Sequence, residues 1–263
     1  MTTPAPGALF DEHSVYWKLN SRWSVLAGGP AAVLLQVAHP AVGAGVANYS
    51  TYRSDPFGRL ERTLNAMLTI SFGSPERREA VLAELRGLHR RVTGTLADGE
   101  TYRALDPELQ LWVWATLGWV GLEVERKYVG QLSAVERSTF YEESKEIARA
   151  FRVPDRLIPE SLGAFYSYVD GVVDGLTITD EARDVAATVV RPKVPLTPAP
   201  LLLPAAWITT DLLPRRLREQ YRLDPLSPVQ RRVLREFRRG GRLVLPRLPD
   251  RLGLNPLAAR SVA

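Results

Sequence analysis

Two histidines and three arginines in the first part of the chain have the types and spacing that could do chemistry. Leu82, Leu85 and His89 are three and four residues apart, so His89 lies on the apolar face of a predicted helix, one turn after Arg86. A neutral imidazole on such a face can bind the iron of a haem, and nearby cations can pair with its propionates. A lone histidine there is more often a hydrogen-bonded core residue, so both interpretations stay open.

A second group lies on the preceding predicted helix. Arg59, Arg62 and Thr63 are at positions i, i+3 and i+4, which places them on one patch of the helix surface. These side chains could contact a bound ligand, or the arginines could simply pair with nearby glutamates. His39 precedes a run of small residues at 41–47, which suits either close helix packing or a flat ligand against the backbone.

Composition excludes several kinds of site. The chain has no cysteine, so disulfides, thiolate metal sites, iron–sulfur clusters and cysteine nucleophiles are excluded. Of its three histidines, His13 falls in a predicted tail, so a zinc site with three histidine ligands is not expected. The sequence also lacks the His-Glu-x-x-His, Glu-x-x-His, phosphate-loop and Gly-x-Ser-x-Gly motifs.

Helices must position these residues, because no convincing pair of alternating strands appears. Asp55 and Ser74, each followed by proline, predict helix starts, and Ser133 with Glu136 forms a predicted capping box. The fold class is therefore all-α. Helices are predicted at 14–27, 31–38 with a kink or new start at Pro40, 56–72, 75–94, 108–128, 134–151, 160–173, 180–190, 205–213, 215–221 and 228–245.

The domain organisation follows from the same patterns. Residues 1–13 are predicted to be a flexible tail, 14–252 a single multi-helix orthogonal bundle, and 253–263 a second tail. The helix at 108–128 is apolar on nearly every face in its first half, so we expect it at the centre of the bundle. Five prolines within 192–204 predict a stiff connector.

Charge and hydropathy bear on location and partners. The start of the chain has no signal-peptide pattern and no segment is apolar enough for a transmembrane span, so a cytoplasmic location is expected. The net charge is +5, and arginine is concentrated near the C-terminus, mainly in the helix at 228–245. No nucleic-acid motif accompanies it, so no nucleic-acid partner is expected. A solvated helix face and weak peripheral membrane contact both remain open, and a homodimer is a further expectation.

Six motifs together resemble a known family. They are LLQVAHPAV, DPFGRLERT, FGSPE, HRRVTG, YRALDPEL and LLPRRLREQY, in this order along the chain. The same pattern occurs in a broad family of bacterial and fungal proteins that includes the catalytic domain of latex-clearing protein, a rubber oxygenase, and the fungal oxygenase MpaB. The resemblance covers about residues 15–252, nearly the whole chain.

The resemblance implies an all-α fold, a haem b cofactor and cleavage of carbon–carbon double bonds with dioxygen. It implies that His89 is the proximal ligand of the haem iron and that Arg86 is a cofactor-binding neighbour. It places Arg59 and Thr63 on the distal side, and Arg62 where the rubber oxygenase has a lysine that can cap the iron.

Three positions qualify this expectation. Arg62 cannot serve as an iron ligand, because a guanidinium stays protonated and has no lone pair to donate. Trp114 stands where many relatives carry histidine, which could reshape a pocket or mark a loss of activity. His39 matches a histidine found throughout the family, and we expect it at the cofactor site without assigning it a role.

The sequence thus predicts a haem b-dependent oxygenase or related oxidoreductase acting on a small apolar substrate with dioxygen. His89 would bind the iron, and Arg59, Arg62 and Thr63 would line the open axial position. The alternative is a non-catalytic helical protein that binds a small hydrophobe or a partner and has lost the haem. The substrate and the reductant, if any is needed, do not follow from the sequence.

Overall fold

The computed structural model describes residues 4–52, 54–130, 132–190, 199–223, 225–249, 253–255 and 258. Within them the chain forms helices and one short hairpin of strands, which confirms the all-α prediction. The elements are α1 (Val15–Asn20), α2 (Gly29–Ala38), α3 (Pro40–Tyr49), α4 (Pro56–Phe72), α5 (Pro75–His89), β1 (Thr93–Thr95), β2 (Thr101–Arg103), α6 (Pro107–Val124), α7 (Ala134–Ala150), α8 (Leu162–Gly175), α9 (Asp180–Val190), α10 (Ala199–Leu212), α11 (Arg215–Gln220) and α12 (Pro228–Val244).

Helix α6 lies at the centre of the bundle, as its nearly uniform apolar surface predicts. It packs against α2, α7, α8 and the 3-10 helix Trp23–Gly28. The contact with the 3-10 helix is close enough to require glycine, because a Cβ on Gly28 would lie 2.5 Å from a methyl carbon of Val120. The predicted helix at 108–128 departs from α geometry near its end, where Glu125–Val129 forms a π-turn.

Most helix starts follow the local signals in the sequence. Asp55 accepts a hydrogen bond from the Gly58 N–H (2.9 Å) and begins α4. Ser133 and Glu136 form the predicted capping box, in which each side chain accepts from the other residue's backbone N–H. These interactions span three residues, which is why the sequence predicts them without tertiary information.

The end of α5 differs from the prediction. The helix was expected to reach residue 94, and no strand pair was expected. Instead α5 ends at His89, and β1 pairs antiparallel with β2 around a turn that contains Gly99 at a φ of 92°. Strands of three residues are too short to show an alternating pattern, so hydropathy alone does not reveal them.

The described part of the predicted N-terminal tail, residues 4–13, contacts the rest of the fold. The Ala5 N–H donates to the Phe72 carbonyl at 3.0 Å, which ties the segment to the end of α4. Phe10 is buried and stacks on Tyr16 with ring centroids 3.9 Å apart. The hydrogen bond and the buried aromatic ring both attach a segment whose composition is typical of a tail.

Two further predictions concern the C-terminal part. The predicted connector at 192–204 lies partly outside the described residues, but 199–204 belongs to α10, so Pro204 stands inside a helix rather than before it. In the predicted tail at 253–263, the Asn255 N–H donates to the Ser21 carbonyl at 2.8 Å and Ala258 is buried; its other residues beyond 255 are not described.

In the described ranges, no single helix is both long and apolar enough to cross a membrane. The segments Trp23–Ala38 and Pro40–Tyr49 reach that length and composition only as a pair, and they are bent by 108° with respect to each other.

Candidate functional site

His89 lies on the wall of a pocket of about 210 Å³ formed by the ends of three segments. The last two turns of α5 form the first wall. Leu105 and the first turn of α6 form the second wall, and the end of α7 forms the third. Apolar side chains make up most of the lining. The lining residues are Leu82, Leu85, Arg86, His89, Leu105, Pro107, Gln110, Ala150, Phe151 and Arg152.

The imidazole of His89 is in the state that metal binding requires. Burial lowers the pKa of His89, so the ring is neutral near pH 7 and keeps a nitrogen lone pair. Its side chain makes no hydrogen bond to any described residue. No group of three or more His, Cys, Asp and Glu side chains in the described part of the chain could hold a metal ion. A haem iron needs only one such ligand.

Polar groups on the same pocket come from each wall. Arg86 lies one turn before His89 on α5, and Gln110 of α6 donates to the Ala104 carbonyl at 2.9 Å. Arg152 follows the end of α7 and has a left-handed backbone with a φ of 63°. Arg152 is not among the site residues predicted from the sequence, because nothing near it in the chain indicates that the end of α7 meets α5.

Two of the three side chains in the predicted patch on α4 already have hydrogen-bond partners within the protein. Arg62 donates to Asp55 at 3.0 Å and to the Thr51 hydroxyl at 3.3 Å, and Thr63 donates its hydroxyl proton to the Arg59 carbonyl at 2.9 Å. Both side chains are exposed, and neither lines the His89 pocket. Their polar groups are thus engaged within the first turns of the helix.

Arg59 does not line the His89 pocket either, but it differs from its two neighbours in burial and in partners. It is half-buried, and its guanidinium has no hydrogen bond or ion pair with any described residue. Burial, and then the charge of Arg62, lower the pKa of Arg59. A cation that has lost water without gaining an acidic partner favours an anionic or strongly polar ligand. Because two residues connect α4 to α5, Arg59 lies at the same end of this helix pair as His89.

His39 lies at the break between α2 and α3 and does not line the His89 pocket. Burial lowers its pKa, and the carboxylates of Glu100 and Asp106 oppose that effect. Its Nδ1 atom is buried and has no hydrogen-bond partner in the described ranges. The structure therefore does not bring His39 and His89 together on one pocket.

Trp114 is a core residue. It is 5% exposed, its indole N–H donates to the Ser144 carbonyl at 2.9 Å, and its ring packs edge-on against Phe165 with centroids 5.7 Å apart. It does not line the pocket that contains His89. The tryptophan thus lies between α6, α7 and α8, where it lines a separate small cavity of about 30 Å³ together with Met67 and Ser144.

The small residues at 41–47 also serve packing. A Cβ on Gly43 would lie 2.7 Å from the Val37 carbonyl oxygen, and one on Gly45 would lie 3.2 Å from a methyl carbon of Val92. Protein atoms occupy the space beside these two glycines, so packing accounts for them without a flat ligand.

The family model described as "ER-bound oxygenase mpaB/B'/Rubber oxygenase, catalytic domain" matches residues 17–244. The match covers every wall of the His89 pocket and the patch on α4. The chain belongs to this family. Its general class is therefore that of an oxygenase catalytic domain, in agreement with the resemblance drawn from the six motifs.

Two family relatives come from mycobacteria. An uncharacterised protein of Mycobacterium bovis and one of Mycobacterium tuberculosis are each 29% identical to this chain over 212 residues, which is 77% of this chain and 82% of each relative. No solved structure matches the chain.

Proposed function

We propose that this protein is a haem b-dependent oxygenase that acts on a small apolar organic substrate with dioxygen. The observation that carries the proposal is the neutral, half-buried imidazole of His89 on an apolar pocket wall, in a chain that belongs to an oxygenase family. The iron would be held by His89 alone from the protein side.

The donor chemistry of the pocket fits this cofactor. His89 has a free nitrogen lone pair, the leucines and Phe151 provide apolar contact for a macrocycle, and Arg86 and Arg152 provide cations for its carboxylates. A bound haem would supply the activation of dioxygen that defines this class of oxygenase. The protein would supply the ligand, the orientation and the exclusion of water.

Arg59 is the strongest candidate for contact with the reacting ligand. Its guanidinium is half-buried and unpaired within the described ranges, so it can donate hydrogen bonds to dioxygen or to an oxidised substrate. Arg62 and Thr63 would act more indirectly. The ion pair of Arg62 with Asp55 and the hydroxyl bond of Thr63 to the Arg59 carbonyl stabilise the turn that carries Arg59.

The apolar lining supports an apolar substrate. The pocket around His89 is lined mainly by apolar side chains, among them Leu82, Leu85, Leu105 and Phe151. Its charged lining residues are Arg86 and Arg152. Nothing in the pocket points to a polymer. We therefore propose a small organic molecule as the substrate.

The deciding experiment is an ultraviolet–visible spectrum of protein purified from haem-supplemented cells. We expect a Soret band in the wild type, its loss in His89→Gly, and its return when imidazole is added to that variant, because free imidazole can replace the missing ligand. His39→Gly is the matched control and should keep the band, since His39 does not line the pocket.

Two results would refute the proposal in different ways. A band that persists in His89→Gly and disappears in His39→Gly would assign the iron ligand to His39. A folded, haem-supplied wild type without any band would exclude haem dependence altogether.

A second candidate function is supported by the size of the pocket. Its volume of about 210 Å³ is below the roughly 300–1,000 Å³ of typical ligand sites. A space of this size suits a small hydrophobe better than a macrocycle unless the walls move apart. A non-catalytic protein that binds such a molecule would show no Soret band. It would bind a small apolar fluorescent probe, and Leu85→Trp would abolish that binding because the larger side chain fills the pocket.

A further inference from the structure

Helix α12 is attached to the rest of the fold mainly by the face that carries Leu234, Arg238 and Gly241. Leu234 is buried, and Arg238 forms an ion pair with Asp211 of α10. Gly241 lies so close to the π-turn that a Cβ there would be 2.5 Å from the Tyr128 carbonyl oxygen. The contacts of this face are close and specific, so the orientation of the helix is fixed.

A second face of α12 is apolar and points to solvent. Val229, Val233, Phe237 and Val244 are 71%, 46%, 57% and 54% exposed, and their spacing places them along one side of the helix. One edge of this stripe contacts the fold, because the Phe237 ring packs edge-on against Tyr128 with centroids 6.4 Å apart. Of the eleven large apolar side chains that are exposed in the described ranges, five belong to this one helix, with Leu243 as the fifth. A docked amphipathic helix normally buries its apolar stripe, so folding alone does not explain this face.

The remaining face is strongly cationic. Arg232, Arg235, Arg239 and Arg242 recur every three or four residues, and Glu236 is the one acidic residue of the helix. Arg239 pairs with Glu236 at 3.6 Å, and Arg242 donates to the Arg126 carbonyl. Arg232 and Arg235 have no ion pair or hydrogen bond with any described residue. Two of the four charges are thus fully available to an external anion.

We propose that the outward side of α12 binds the surface of an anionic lipid bilayer. The exposed valines and Phe237 would enter the boundary between headgroups and acyl chains, while the arginines contact lipid phosphates and carboxylates. This arrangement requires both features of the helix, and it does not depend on the proposed haem chemistry.

Other partners fit these observations less well. A nucleic acid would use the arginines but would leave the stripe of valines unexplained. A second copy of the chain could cover the valines, but a two-fold arrangement would bring identical rows of arginine close together. An anionic bilayer is complementary to both the charge and the apolar surface.

The test is co-sedimentation of the full-length protein with lipid vesicles. We expect binding to vesicles of phosphatidylcholine mixed with phosphatidylserine, little binding to pure phosphatidylcholine, and weaker binding at high salt because exposed charges are screened. Circular dichroism of each variant below establishes that it is folded.

Charge variants give the first comparison. Arg232→Gln with Arg235→Gln should lower the partition coefficient about 30-fold, since each arginine near the membrane surface contributes about fivefold. Arg77→Gln with Arg156→Gln makes the same change in net charge at exposed positions on other elements and should leave binding unchanged.

Apolar variants give the second comparison. Val229→Ser with Val233→Ser should lower the partition coefficient roughly tenfold, because the valines no longer gain from leaving water. Val135→Ser removes an equally exposed valine (75%) at the start of α7 and should have no effect.

Three outcomes would overturn the proposal. Vesicle binding that is insensitive to the valine changes would leave only a generic charge effect. Co-sedimentation with DNA but not with vesicles would indicate a nucleic-acid surface. A concentration-dependent doubling of mass that Val229→Ser with Val233→Ser abolishes, without vesicle binding, would assign the face to an interface between copies.

Discussion

Arg152 and Arg222 each occupy a backbone position at a helix end that normally holds glycine. Their φ angles are 63° and 54°. At the end of α7 the Arg152 N–H donates to the Arg149 carbonyl (2.8 Å) and the Val153 N–H to the Ala148 carbonyl (3.0 Å), which is a Schellman motif. The same bonds occur after α11 around Arg222. A side chain in this conformation crowds the backbone and costs about 1–2 kcal/mol.

Glycine at either position should therefore stabilise the protein. Relief of the strain gains about 1–2 kcal/mol, and the larger backbone entropy of glycine in the unfolded chain costs about 0.5–1 kcal/mol, so the net gain is about 0.5–1 kcal/mol. For a chain of this size, 1 kcal/mol corresponds to about 2–4 °C in Tm. Arg152→Gly and Arg222→Gly should each melt about 1–4 °C higher than the wild type, as measured by circular dichroism.

The proposed haem site predicts that the two variants differ in haem affinity. Arg152 lines the His89 pocket, whereas Arg222 does not. Loss of one charge-assisted hydrogen bond costs about 1.5 kcal/mol, so Arg152→Gly should bind haem about tenfold more weakly while Arg222→Gly binds it normally. The transfer of haem from each variant to apomyoglobin measures these haem affinities. Equal haem affinity of the two variants would show that Arg152 only ends the helix and does not contact haem. A lower Tm in both variants would refute the strain argument.

Two further perturbations address the core and the effect of pH. Trp114→Phe removes the hydrogen bond to the Ser144 carbonyl and should lower the free energy of unfolding in urea by about 1–2 kcal/mol. The Soret band should not move, and a shift would place Trp114 in the site after all. The hydrogen bond from Lys18 and the cap at Ser133 lower the pKa of Glu136 from 4.5 to about 2. Because the folded-state value is the lower one, this stabilisation, roughly 1 kcal/mol after solvent screening, is complete above the unfolded pKa and is lost as the pH falls toward 2. Glu136→Gln should flatten the acid side of the stability curve, and an unchanged slope would contradict this account.

The sequence by itself determined the features that depend on neighbours within one helical turn. Asp55, Ser74 and the Ser133–Glu136 box mark helix starts that the structure confirms, because a cap is made with the backbone two or three residues away. The apolar surface of α6 likewise predicts its central position, because a helix that is apolar on nearly every face is stable only when it is buried. The six motifs identified the family, which also rests on local sequence.

Only the tertiary structure decided which distant segments meet. Arg152 joins His89 because α7 ends beside α5, and no spacing along the chain encodes that meeting. Trp114 faces α7 and α8 rather than the His89 pocket, and His39 lies at a helix break and does not line that pocket. These outcomes depend on how whole helix faces pack together, which is a property of the assembled core and not of any local pattern.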